Sequence, residues 1–251
     1  MQIFITGISS GIGRELSKQL VAAGNEVWGV ARRHNLLEKL SREIESNSFH
    51  CTRCDVTNSA EVKDVHQRMQ MTNFFPDVVI LNAGIYKKDI YPHFSEELFT
   101  ETLRVNVAGA LVWVSLFIEP FLRRGSGQFI AISSMFAKWP DQLMVPYSAS
   151  KASLSMAFRG LRLRYAKSNI HFKTAYLGPV GTQINSCLKE NPSNKPLSLI
   201  KSSQDTARYL IKIISSRRLD FYYPFYIMLL FNTLCWLPDN IFKYLTHRFR
   251  R

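Results

Sequence analysis

The chain has 251 residues, 46% of them hydrophobic and 20% charged, and it carries a net charge of +13. That is enough apolar material to bury one large core as a single α/β domain. Four scattered cysteines (51, 54, 187, 235) exclude a disulfide framework and point to a reduced cytosolic setting, and six singly placed histidines offer no metal-ligand spacing.

The chain enters its first strand at once, over 2–6, on the apolar run Ile3-Phe4-Ile5, which leaves no room for a secretion signal. Thr6 to Gly13 follow, reading T-G-I-S-S-G-I-G, and lead into a helix over 11–23 with Leu16, Leu20 and Val21 on one face. The three glycines permit a tight turn, backbone approach to a phosphate and close packing of helix on strand. The start of that helix offers unpaired N–H groups and a favourable dipole to a pyrophosphate. The spacing is G-x-x-x-G-x-G, a variant of the dinucleotide turn, with Gly7, Ser9, Ser10, Gly11, Ile12 and Gly13 as its expected contacts. A second strand over 26–31 ends at Ala31, where an NAD site would place Asp or Glu for the ribose 2′-hydroxyl. Arg32 and Arg33 follow instead, and guanidinium pairs well with phosphate, so this end is built for the 2′-phosphate of NADP(H).

A helix over 34–46 and a strand over 48–54 come next. Cys51 and Cys54 fall on that strand with no second Cys/His pair near them, so no metal site is expected. A helix over 58–72 and a strand over 77–81 lead to Asn82-Ala83-Gly84, small residues that let a strand end approach a ligand. The pattern over 95–123 is helical with an interruption, and the strand over 127–133 runs into Ser133 and Ser134. In the helix over 146–168, Tyr147 and Lys151 are an i,i+4 pair on one face. An ammonium beside a phenol stabilises phenolate and lowers its pKa from about 10, which makes Tyr147 a proton donor or acceptor near neutral pH. A strand over 170–177, a low-order stretch over 185–203 and a helix over 203–215 complete the alternation. Strands alternating with helices imply a doubly wound parallel sheet with helices on both faces, and the motifs all fall at strand ends, where such sheets bind ligands.

Taken together, these residues resemble the short-chain dehydrogenase/reductase family, from residue 2 to about 215. The resemblance implies a Rossmann-type sheet, 1–216; residues 217–251 depart from it and are read as a C-terminal helical appendage. It implies adenine contact by Asp55 and Val56, cofactor contact by Asn82, Ala83 and Gly84, and further contacts from Val180 and Thr182 in Gly178-Pro179-Val180-Gly181-Thr182. The family's serine falls on Ser134, thirteen residues before Tyr147, in preference to Ser133. By resemblance Ser134 holds a substrate carbonyl and Tyr147 gives its proton to the oxygen. Lys151 holds the nicotinamide ribose and depresses the tyrosine pKa, and Asn106 helps order a relay water. A homodimer or tetramer is implied in the same way. Two departures stand out. Leu177 occupies the place where most relatives have proline, and the family's last strand with its short tail is not read in 217–251.

An NADP(H)-dependent exchange of a carbonyl for a secondary alcohol is therefore expected, with no nucleic-acid partner. Epimerisation or dehydration of a nucleotide sugar on the same scaffold is the alternative reaction, though such relatives usually carry a sizeable substrate domain. A non-catalytic NADP-binding regulator would not need Asn106, Ser134, Tyr147 and Lys151 together. Ile85, Met135, Phe136, Trp139, Met144 and the loop over 183–203 are expected to line an apolar substrate site.

Residues 221–237 carry no charge. The residues after Pro224 in that run give roughly 20 Å of helix, short of the ~30 Å hydrocarbon core, so a spanning helix is not expected. From Asp239 on, Ile241, Phe242, Leu245 and Phe249 oppose Lys243, His247, Arg248, Arg250 and Arg251, an amphipathic pattern with a basic face. Over 217–251 six cations (Arg217, Arg218, Lys243, Arg248, Arg250, Arg251) less two acids (Asp220, Asp239) leave +4. Peripheral association with an anionic membrane surface through 221–251, on the cytoplasmic face, is the expectation; the alternative is that the segment packs on its own domain or closes a dimer interface.

Overall fold

Seven short apolar strands, none longer than a buried parallel strand needs to be, lie side by side in one sheet of order β3-β2-β1-β4-β5-β6-β7. The computed structural model describes residues 1–87, 93–139, 141, 144–181 and 200–226. The strands are β1 (Gln2–Thr6), β2 (Glu26–Ala31), β3 (Phe49–Arg53), β4 (Val78–Leu81), β5 (Gly127–Ser134), β6 (Ile170–Leu177) and β7 (Asp220–Tyr223). Every pairing is parallel, so all the strands end at the same edge. The order reverses between β1 and β4, which opens a crevice at that edge.

Helices cover both faces, as the alternating pattern predicts. α1 (Gly11–Ala22), α2 (His34–Ile44) and α7 (Ser203–Ile214) lie on one side, where Leu16, Leu20, Leu37, Leu40, Leu210 and Ile213 pack on Ile3, Ile5 and Val27. On the other side lie α3 (Ser59–Met71), α5 (Gly109–Arg124) and α6 (Val145–Arg164). Their Val65, Trp113, Phe117, Phe121 and Phe158 pack on Phe4, Phe129 and Phe172. Local chemistry sets the ends. The Asn58 side chain accepts from the N–H groups of Ala60 and Glu61 at the start of α3, Ser202 caps α7, and α5 stops at Gly125 in the left-handed region (φ 70°).

The expected interruption over 95–123 is a π-helical turn, Arg104–Ala108, between α4 (Glu96–Leu103) and α5. A π turn admits one extra residue per turn and recurs at functional sites. The whole helix Glu96–Arg124 is long and apolar enough to cross a membrane, yet Trp113, Phe117 and Phe121 are its contribution to the core against the sheet.

One expectation is corrected. The last strand does exist: β7 pairs with β6 from Thr174↔Asp220 to Leu177↔Tyr223, inside the segment assigned to an appendage. Arg162 of α6 anchors its start, with Nη1 and Nη2 2.9 and 2.8 Å from the Asp220 carboxylate. Four residues with one charge and no alternation give too short a pattern to separate from the uncharged run that follows. Leu177 also finds its consequence here. Proline cannot donate to a ladder, whereas Leu177 extends β6 by a residue paired to both Ser134 and Tyr223.

Candidate active site

The glycine turn is held from beneath. The Thr6 hydroxyl accepts from the N–H groups of Asn82 and Ala83, both at 3.0 Å. The Asn82 amide in turn donates to the carbonyls of Thr6 and Gly7 at 3.0 and 3.1 Å. This clamp ties the end of β1 to the end of β4 across the point where the strand order reverses. Glycine is required at two places in it: Gly7 has φ +79°, and a Cβ on Gly13 would meet the Gly7 carbonyl and sit 2.6 Å from the Asn82 amide nitrogen. The first N–H groups of α1 have no partner within the helix, and Ser10 at its N-cap takes none of them with its side chain. They remain available to an anion in the crevice.

The Ser10 hydroxyl is engaged elsewhere. Arg33 Nη2 donates to Ser9 Oγ at 2.8 Å and Ser10 Oγ at 2.6 Å, laying the guanidinium against the turn. Arg32 is half exposed, and its Nη1 lies 3.9 Å from the Asp55 carboxylate. Both arginines line the crevice, while Ala31 puts no carboxylate there. Asp55 lies in an adjoining polar recess with Arg32, Arg53 and Arg104. Its carboxylate accepts from the Thr57 N–H and hydroxyl, and these bonds with the nearby arginines hold its pKa low against the opposing effect of burial.

At the other end, β5 alternates its two serines between faces. Ser133 turns toward α6, 2.8 Å from Ser155 Oγ and 3.2 Å from the Lys151 carbonyl. Ser134 turns into the crevice beside Tyr147, where its hydroxyl donates to the Leu177 carbonyl at 3.4 Å and accepts from the Phe136 N–H at 3.2 Å. The Tyr147 ring is walled edge-on by Tyr86 (5.3 Å between centroids) and Phe136 (6.4 Å). Lys151 Nζ sits 5.8 Å from the centre of that ring and donates to the Ile132 carbonyl at 2.9 Å. A Cβ on Gly84 would lie 3.1 Å from Asn106 Oδ1 and 3.4 Å from Lys151 Nζ, so the backbone passes close between them. Asn106, fully buried in the π turn, binds the segment after β4: its Oδ1 accepts from the Ile85 N–H at 2.7 Å, and its amide donates to the Ile85 carbonyl and Ser150 Oγ. Both of its side-chain donors are spent, so a water would be held by an oxygen of this residue.

Burial corrects one electrostatic expectation. It raises the Tyr147 pKa, with the Ser134 hydroxyl opposing it, where a lowering by Lys151 was expected. The same burial depresses Lys151 to about 8, so desolvation disfavours both charged forms. The sign for stability follows. An unfolded lysine titrates near 10.4, so between about pH 8 and that value the unfolded chain binds more protons and stability rises with pH. Below pH 8 the cost of the buried ammonium is present in full. We expect the urea midpoint of the wild type to climb between pH 7 and 9.5 more steeply than that of Lys151→Met. Lys173, also held near 8 by burial, titrates in both proteins and cancels. Equal slopes would refute the depressed lysine.

The crevice, about 430 Å³, gathers most residues expected of it: Gly7, Ser9, Ser10, Gly11, Ile12, Arg32, Arg33, Val56, Asn82, Ala83, Gly84, Ser134, Tyr147, Lys151 and Val180. Gly13 lies under the turn, and Asp55 and Asn106 stand behind the walls. Thr182 lies outside the described residues, as does most of the 183–203 loop. Among the expected apolar lining, Ile85 faces the crevice and Met135 is buried at 5% exposure. Tyr86 and Lys87 also line it, and no sequence pattern singled them out.

The model of the short chain dehydrogenase family matches residues 1–193. The chain belongs to that family. It is 32% identical to an NADPH-dependent pterin aldehyde reductase of Arabidopsis thaliana over 167 residues, 66% of this chain and 67% of that one. It is 31% identical to a fatty acyl-CoA reductase of Acinetobacter baylyi over 182 residues, 71% and 62% of the two chains. A variant of actinorhodin polyketide ketoreductase with NADPH shares the fold at a TM-score of 0.81 and 21% identity, covering 88% of this chain and 95% of the other. The chain is an oxidoreductase with a dinucleotide crevice, acting on CH–OH groups or the corresponding carbonyls.

Proposed function

We propose that the protein is an NADP(H)-dependent carbonyl reductase whose physiological substrate is lipophilic. The observation that carries the reaction is the Ser134–Tyr147–Lys151 group lining a crevice whose far end holds Arg32 and Arg33 and no acid. The residues fit the cofactor: a glycine cradle that a Cβ would fill, unpaired N–H groups at the start of α1, and two guanidinium groups at the ribose end. NADP(H), when bound, supplies or accepts the hydride. Ser134 donates to the substrate oxygen, and Tyr147, protonated at neutral pH because burial raises its pKa, transfers its proton to that oxygen. Lys151 stands beside the ring to hold the ribose and to support the phenolate left behind. Asn106 fixes Ile85 and Ser150, and so the two walls between which the substrate enters. Lining by Ile85 and Tyr86, with Phe136 packed against Tyr147, together with the substrates named for the acyl-CoA and pterin aldehyde reductases, supports a bulky or lipophilic carbonyl. The unpaired cysteines 51 and 54 fit a reducing cytosolic compartment.

The test is a screen of lipid, pterin and sugar ketones and aldehydes, following NADPH absorbance. Turnover of long-chain carbonyls well above that of sugar ketones is expected. Turnover of sugar ketones alone would overturn the substrate class, and a protein that binds NADPH but reduces none would overturn the reaction.

A further inference from the structure

We propose that the protein docks on an anionic lipid surface with its catalytic edge toward the bilayer, and takes its substrate from that surface. The substrate part rests on the carbonyl reductase reading; the docking does not. The argument begins with the direction of β7. It runs parallel to β6, and Gly178 N–H donates to the Tyr223 carbonyl at 2.8 Å, so the chain leaves the sheet at the edge that carries Ser134, Tyr147 and Gly178. Had β7 been antiparallel, the following segment would have left from the far side.

What leaves at that edge is the uncharged run that ends at residue 237, followed by a basic stretch with Lys243, Arg248, Arg250 and Arg251. Its first residues already show the chemistry: Phe225 and Tyr226 are 65% and 51% exposed. Around the same edge Phe94, ahead of α4, is 59% exposed, and Val145, two residues before Tyr147, is 40% exposed. Cations accompany them. Lys201 Nζ lies 5.9 Å over the Tyr226 ring, on the segment bridged to Val180 of the crevice, and Lys138 Nζ donates to Tyr222 Oη at 2.7 Å. Aromatic groups with cations beside them suit the boundary between headgroups and acyl chains. Exposed apolar residues also occur at the opposite edge, as at Met71 and Phe75, but no uncharged run leaves from there. A lipid surface satisfies the apolar run and the cations together, and the +13 charge of the chain draws it toward anionic headgroups.

The experiment uses the full chain with vesicles of phosphatidylcholine alone and of phosphatidylcholine with a third phosphatidylserine. Sedimentation should show about tenfold or more binding to the anionic vesicles. The combined variant Lys243→Glu, Arg248→Glu, Arg250→Glu, Arg251→Glu should fall to the neutral level while NADPH affinity, measured by fluorescence titration, stays unchanged. Hydrogen exchange with anionic vesicles should slow in 219–226 and 136–147 and not in 71–77. Negligible sedimentation with both vesicle types would overturn the proposal, as would protection confined to 71–77. So would a charge-reversed variant that loses only self-association by light scattering. NADPH titration separates the two readings: lost NADPH binding would count against the reductase reading and leave the docking result standing.

Discussion

Tyr147→Phe is expected to lower kcat by about 10²- to 10⁴-fold, the usual worth of a positioned proton donor, with NADPH affinity nearly unchanged. The ring keeps its place because Tyr86 and Phe136 wall it and neither contact uses the hydroxyl. What disappears is a hydroxyl beside Ser134 that neither ring contact uses, so the fold should stay intact. Ser134→Ala should reduce kcat less steeply, since Tyr147 can still donate to the same oxygen. The measurement is steady-state kinetics on a carbonyl from the screen, with circular dichroism and NADPH titration on each variant. A Tyr147→Phe enzyme working near the wild-type rate would remove Tyr147 from the mechanism, whatever its neighbours do.

The sequence carried most of the sheet because its signals are redundant there: β1, β2, β4 and β6 are largely apolar and are closed by Gly7, by Arg32 and Arg33, by Asn82 and by Gly178. It carried less where a residue acts through geometry alone. Gly29 reads as a weak point in a strand, yet a Cβ there would strike Ile8, the first residue past Gly7, so it sets how close the turn lies to β2. Tyr86 follows Asn82-Ala83-Gly84 with no periodicity to mark it, and only the folded chain brings its ring against Tyr147. The Asn106 amide ties down Ile85 and Ser150, contacts that no pattern in the sequence marks. The pKa of Tyr147 was argued from one neighbour at i+4, which sequence shows; desolvation by the surrounding walls, which sequence does not show, outweighs it.

Cofactor choice is the second large effect, and the two arginines should divide it unequally. The wild type should bind NADPH more tightly than NADH, because Ala31 offers no carboxylate to a ribose hydroxyl and Arg32 and Arg33 offer charge to a phosphate. Arg32 gives up little on engaging it: its approach to Asp55 is 3.9 Å and half exposed, the kind of pair worth at most about 1 kcal/mol. Arg32→Ala should therefore cost about 1.5–3 kcal/mol of NADPH binding, roughly 10- to 150-fold in Kd, and leave NADH nearly unaffected. Arg33 is different, since its guanidinium already holds Ser9 and Ser10 of the glycine turn. Arg33→Ala should weaken both cofactors, the turn being common to them, with an added loss for NADPH. Ala31→Asp combined with Arg32→Ala should reverse the preference. Fluorescence titration of both cofactors at low and high salt distinguishes these cases, because a contact to phosphate is screened by salt and a preformed turn is much less so. Equal or tighter NADH binding by the wild type would show that the two arginines serve the turn and the protein surface, and that the ribose end is read by other groups.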